Sequence, residues 1–142
     1  MERSIARTHR ISVCVKCRQP EAYRETIMRS RPQPVGLEII DGLREALSGR
    51  SSADLFELET VECMAGCDRP CTVAYHAAGK ATYLFGDIVP GDTVEALADF
   101  ADQYAALDDG WCSSTERPKA LAGKTLARVP AISVFAAKDA AQ

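Results

Sequence analysis

Two cysteine clusters constrain this chain more than any other feature, because each lies at or directly after the end of a predicted strand. The first is a C-x2-C motif at Cys14 and Cys17, and the second is a C-x3-C motif at Cys63 and Cys67. Residues 11–15 and 54–62 have the β-branched and alternating patterns that are typical of strands. If these strands are neighbours in one sheet, the turns that follow them meet at one end of it.

The remaining periodicity completes the predicted fold. Apolar spacing indicates four further elements: a helix at 37–47, strands at 71–75 and 81–85, and a helix at 92–110. The order is then strand, helix, strand, strand, strand, helix, with a crossover between the first two strands. This order predicts an α/β (α+β) domain with a central four-stranded mixed sheet and helices packed on it.

Length and charge set the domain organisation and the classes of partner. A chain of 142 residues fits one domain, and we predict a flexible basic arm at 1–10, a metal- or cluster-binding domain at 11–112 and a C-terminal extension at 113–142. The net charge of −3 argues against a general nucleic-acid-binding protein. Residues 87–109 hold seven acidic side chains and no Lys or Arg, a pattern suited to docking a basic protein partner.

The expected cellular compartment decides how the cysteines are interpreted. The N-terminal residues are basic but precede no apolar run, and no window has the apolar length that spans a bilayer. We therefore expect a cytoplasmic protein without a membrane partner. Thiols stay reduced in the cytoplasm, so a dense cysteine pattern indicates metal binding or catalysis rather than structural disulfides.

Thiolates that converge at one end of a sheet match a metal site or a small iron–sulfur cluster, since both use four sulfur ligands. We predict four ligands: Cys14, Cys17, Cys63 and Cys67. Cys71 begins the next predicted strand and is the alternative ligand, in place of Cys67 or of one cysteine of the first pair. Cys112 is expected to be a small buried apolar residue.

Residues beside the ligands are expected to support them. Gly66 lets the second cysteine loop bend and direct backbone N–H groups at sulfur. Three cations flank the ligands and are expected to offset the negative charge of the thiolates: Lys16, Arg18 and Arg69. His9, in the basic arm, and His76, near a hairpin turn, are expected to face solvent rather than bind metal.

The second cysteine loop, followed by a strand, a hairpin and residues 83–88, resembles the thioredoxin-like [2Fe-2S] ferredoxins, which include the small cluster-carrying subunit of respiratory NADH dehydrogenases. The resemblance covers roughly residues 11–107 and implies a thioredoxin-like fold and two ligands from each cysteine pair. The first pair departs from the ferredoxin pattern, because its two cysteines are closer together. The whole chain more closely resembles a bacterial family of predicted metal-binding proteins, a domain of unknown function, which implies a link to metal or cobalamin metabolism.

Three functions are compatible with these observations. The first is a [2Fe-2S] electron carrier or redox module, not an enzyme, that works with a redox or metal-handling protein. The second is a thiolate site for zinc or another soft metal, serving structure or metal delivery. The third is a thiol–disulfide oxidoreductase in which Cys14 attacks and Cys17 resolves. By analogy with the fold, the chain is compatible with a homodimer.

Overall fold

Five strands and two helices form in the part of the chain that the computed structural model describes, residues 8–15, 35–65, 69 and 71–132. In chain order they are β1 (His9–Cys14), α1 (Val35–Leu47), β2 (Phe56–Val61), β3 (Val73–Ala77), β4 (Thr82–Phe85), α2 (Asp92–Ala106) and β5 (Thr125–Val129). Short 3-10 turns lie at Ala53–Leu55 and Lys119–Leu121. Neither helix of these residues is long and apolar enough to cross a membrane.

The strands form one mixed sheet in the order β2-β1-β3-β4-β5. β1 and β2 are parallel and joined through α1, whereas the other neighbouring strands are antiparallel. The predicted α/β class, the mixed sheet and the crossover between the first two strands are confirmed. The predicted count of four strands is wrong, because the C-terminal extension supplies β5. This edge strand is largely exposed, so it lacks the apolar alternation that identifies a strand.

Element boundaries differ from the predicted ones by at most four residues. β1 begins at His9, inside the predicted arm, whose residues 1–7 lie outside the described part of the chain. β3 begins at Val73 rather than at residue 71. α2 ends at Ala106 because Leu107 is already extended, and Gly110 adopts a φ of +83° further on.

In the described part of the chain, the apolar cluster that includes residues of both helices lies on one side of the sheet. Ile11 and Val13 of β1 are fully buried and belong to the same apolar cluster as residues of both helices, whereas the alternate residues Ser12 and Cys14 do not belong to it. Both described helices therefore pack on the Ile11 side of the sheet. Aromatic rings fill this layer, and the hydroxyl of Tyr104 donates to the carbonyl of Ala81 over 2.6 Å. Buried tyrosines thus keep a hydrogen-bond partner.

Candidate metal centre

The two cysteine-bearing corners of the sheet adjoin each other. Because β1 and β2 are parallel, their carboxyl ends lie at the same edge of the sheet. Cys14 is in register with Val61, and the N–H of Val15 donates to the Val61 carbonyl over 2.9 Å. The chain then leaves β2 through Cys63 and Met64. The expectation that the first two strands are neighbours is confirmed.

The sulfur of Cys14 contacts the backbone of the second cysteine loop directly. The N–H of Met64 donates to Cys14 Sγ over 3.4 Å, and the same sulfur lies 3.9 Å from the carbonyl oxygen of Glu62. The Cys14 side chain is only 3% exposed. Hydrogen bonds to sulfur are one means by which a protein tunes a thiolate-bound metal or cluster. The buried, hydrogen-bonded sulfur of Cys14 therefore has the chemistry of a metal or cluster ligand.

Cys63 is exposed at the start of the second loop, and Ala65 has a φ of 63°, the left-handed conformation of a sharp bend. The other predicted ligands, Cys17 and Cys67, and the predicted supporting residues Lys16, Arg18 and Gly66 lie outside the described residues. Among residues 8–15, 35–65, 69 and 71–132, no three His, Cys, Asp or Glu side chains lie close enough together to hold a metal ion. The four-cysteine ligand set stays a prediction.

Cys71, the alternative ligand, is in a different environment from Cys14. It is fully buried within the apolar cluster that also contains Val73 and Ile88, whereas Cys14 is buried outside that cluster. Its backbone exchanges hydrogen bonds with Ile88 over 3.3 and 3.4 Å. Cys112 is also in the apolar cluster, as expected, with its sulfur 3.5 Å from the hydroxyl oxygen of Tyr83.

The first turn of α1 packs against the end of β1 at the same corner. A Cβ atom on Gly36 would lie 2.2 Å from the carbonyl oxygen of Cys14 and 2.6 Å from Val15 Cα. Real side-chain contacts are not this short, so the close approach depends on glycine. The amino end of a helix carries a partial positive charge. This end of α1 therefore favours negative charge, such as that of thiolates, at the cysteine corner.

Arg69, predicted to offset the charge of the thiolates, is paired with a carboxylate instead. Its Nε lies 2.7 Å from Asp87 Oδ2, and its Nη2 donates to the carbonyl of Gly123 over 2.6 Å. Asp87 balances the guanidinium charge, so Arg69 adds little net positive charge at the corner. The guanidinium instead connects the second cysteine loop to two other segments of the chain.

The histidines lie in β1 and β3, away from the carboxyl end of β1. His9 is half-buried, and its ring packs against Phe56 and Tyr104, so the expectation of a solvent-facing residue is wrong for it. Burial, together with Lys80 Nζ at 2.8 Å from His9 Nε2, lowers the pKa of His9. His76 lies opposite Arg10, and burial lowers its pKa as well.

The sequence profile of one protein family, described as "Protein of unknown function (DUF1636)", matches residues 11–131. The chain belongs to the DUF1636 family. The match spans β1 to β5, so it includes both cysteine corners and the strand from the C-terminal extension. No curated protein matches the chain.

Two solved structures of a thioredoxin-like [2Fe-2S] ferredoxin from Aquifex aeolicus are similar to this member of the DUF1636 family. The wild-type ferredoxin structure has a TM-score of 0.50 at 14% identity and covers 86% of this chain and 99% of its own. The second has a TM-score of 0.52 at 12% identity, with 90% and 100% coverage. At such identities the similarity shows the fold, which is thioredoxin-like, as the sequence resemblance implied.

Three residues at the corner were not predicted to have a role there. Gly36 directly precedes the predicted helix, and a glycine at that position is a weak signal of a close backbone approach. Met64 acts through its backbone N–H, which carries no sequence signal. Asp87 lies 18 positions from Arg69, and no local pattern indicates that pairing.

Proposed function

We propose that this protein is a small redox module that holds a [2Fe-2S] cluster through Cys14, Cys17, Cys63 and Cys67 and exchanges single electrons with a protein partner. The observation that carries the proposal is the contact between the two cysteine corners, where the Met64 N–H donates to Cys14 Sγ over 3.4 Å. When bound, such a cluster supplies one-electron transfer. The proposal assumes the cytoplasm, where cysteines stay reduced until they bind metal.

The described residues contribute to this function in three ways. The Met64 N–H hydrogen-bonds the sulfur of Cys14, which is one means of setting a reduction potential. The amino end of α1 packs against the backbone of Cys14 through Gly36 and favours negative charge there. Cys63 is exposed, so an electron-transfer partner can approach the corner at this residue.

The burial of individual cysteines bears on the alternatives. Cys71 is packed in the apolar core, on the side of the sheet where Ile11 and Val13 lie, which favours Cys67 over Cys71 as the fourth ligand. A thiol that attacks disulfides must be accessible, and Cys14 is only 3% exposed. This burial disfavours a thiol–disulfide oxidoreductase in which Cys14 is the nucleophile.

Anaerobic purification with metal and sulfide analysis tests the proposal. We expect a red-brown protein with iron and sulfide in equal amounts and a visible absorption that dithionite bleaches. Cys63→Ser should abolish the absorption, whereas Cys112→Ser and Cys71→Ala should retain it. A colourless protein with stoichiometric zinc would overturn the cluster and leave a thiolate zinc site. Equal loss of colour in Cys63→Ser and Cys71→Ala would contradict the ligand set.

A further inference from the structure

The second cysteine loop is fastened to another part of the fold at Arg69. Its Nε lies 2.7 Å from Asp87 Oδ2, and its Nη2 donates to the Gly123 carbonyl over 2.6 Å. The N–H of Asp87 donates back to the Arg69 carbonyl over 2.9 Å, and Cys71 and Ile88 exchange backbone hydrogen bonds directly after it. The end of the loop is thus bonded, through side chain and backbone, to the chain that follows β4.

The same position is bonded to the chain that leads into β5. The N–H of Gly86 donates to the Lys124 carbonyl over 2.8 Å, and Lys124 Nζ donates to the Asp87 carbonyl over 2.9 Å. A Cβ atom on Gly86 would lie 2.6 Å from the Arg69 carbonyl oxygen and 3.0 Å from Leu126 Cδ1. Three segments therefore meet where there is room only for glycine.

From these contacts we infer that Arg69 and Asp87, together with the chain before β5, hold the second cysteine loop in its metal-binding conformation. The inference rests on the proposed function. Arg69 lies two residues from both Cys67 and Cys71 in sequence, so its position limits where the loop can place its sulfur ligands. Because Asp87 balances its charge, Arg69 acts as a positioning residue rather than as a counter-charge. The C-terminal extension thereby becomes part of the support of the metal centre.

The exposure of the ion pair separates this role from a general contribution to folding. The side chains of Arg69 and Asp87 are 38% and 40% exposed, and ion pairs with that exposure contribute little to global stability. Residues that orient metal ligands, in contrast, have a large effect on how firmly the metal is held. Loss of the pair should therefore change metal retention far more than it changes the urea concentration at which the chain unfolds.

The test compares variants of the full chain loaded anaerobically with iron and sulfide. Asp87→Asn keeps the left-handed backbone at φ 57°, which asparagine tolerates, and Arg69→Gln removes the guanidinium. We expect both variants to lose iron to a chelator about tenfold faster than the wild type. Arg69→Lys should lose iron at an intermediate rate. The matched control is Arg44→Gln, which breaks an exposed ion pair with Asp41 in α1 and should leave the rate unchanged.

Reduction potentials separate a positioning role from a charge effect. Each variant breaks the same contact, so a positioning role should shift the potential of both in one direction, whereas a charge effect alone lowers it in Arg69→Gln and raises it in Asp87→Asn. Iron loss at the wild-type rate would overturn the inference, and so would potential shifts of opposite sign and similar size.

The inference can fail separately from the proposed function. A wild-type chain that binds no metal refutes the proposed function, and the role of Arg69 is then judged in the metal-free protein by hydrogen exchange. The amides of Asp87 and Gly86 should exchange faster in Arg69→Gln than in the wild type or in Arg44→Gln. If their exchange is unchanged, Arg69 does not hold this part of the chain.

Discussion

Replacing Gly36 with alanine separates the geometry of the cysteine corner from ordinary helix propensity. Alanine in place of glycine inside a helix normally stabilises a protein by up to about 1 kcal/mol. At Gly36 the added methyl would lie 2.2 Å from Cys14 O and 2.6 Å from Val15 Cα. Both are backbone atoms that cannot rotate away, and overpacking of this kind costs about 1–3 kcal/mol. We expect Gly36→Ala to lose about 1–2 kcal/mol of unfolding free energy.

Gly42 in the same helix provides a matched control. A Cβ atom there would lie 3.3 Å from a methyl group of the Val94 side chain, a contact that small side-chain movements relieve. We expect Gly42→Ala to remain within about 0.5 kcal/mol of the wild type. Comparing the two variants cancels the helix propensity and leaves the cost of the close approach to Cys14.

Urea unfolding of the metal-free proteins, followed by far-ultraviolet circular dichroism, measures both variants. Because the slope of free energy against urea scales with the surface exposed on unfolding, equal slopes allow the midpoints to be compared directly. Gly36→Ala should unfold at a lower urea concentration than Gly42→Ala. Equal midpoints would refute the claim that the first turn of α1 packs directly on the end of β1.

Two further predictions concern charge. Arg50 lies within 2.6–2.9 Å of three carboxylates of α2. Arg50→Gln should therefore lower the unfolding free energy by about 1–2 kcal/mol at low salt and by less at high salt. Urea titrations that show the same loss at both salt concentrations would contradict this. The pKa of His9 is lowered from its usual 6.5, so its contribution to stability is present above pH 6.5 and is lost as the pH falls through the lowered value. The unfolding free energy of His9→Gln should therefore decrease less from pH 7.5 to 5 than that of the wild type. An equal decrease in the two proteins would count against the burial of the ring.

The sequence predicted those parts of the fold whose signal is local. The apolar run at residues 11–15 and the helical spacing at 37–47 predict the ends of β1 and α1 to within two residues. The helix between the first two strands implies that these strands are parallel neighbours. This prediction sufficed to bring Cys14 beside the loop that begins at Cys63, because parallel strands end at the same edge. The candidate corner is therefore predictable from the sequence alone.

The parts that the sequence did not predict depend on contacts between distant segments. β5 is an edge strand with exposed residues, so neither alternation nor an apolar run marks it. The partner of Arg69 lies 18 residues away. The nearby cysteines instead suggest that Arg69 offsets the negative charge of thiolates. The charge of residues 1–10 indicates a basic arm and obscures the start of β1 at His9. Its packing against Tyr104 depends on α2.

The core and the candidate metal centre are coupled through the alternation of β1. Side chains of a strand alternate between its two sides, so a register slip by one residue would move Ile11 and Val13 out of the core and turn Cys14 into it. Losing a large apolar side chain from a packed core costs about 2–5 kcal/mol, a large share of the 5–15 kcal/mol that is typical of whole domains. The free energy that fixes the register of β1 therefore also fixes the side of the sheet on which the Cys14 sulfur meets the N–H of Met64.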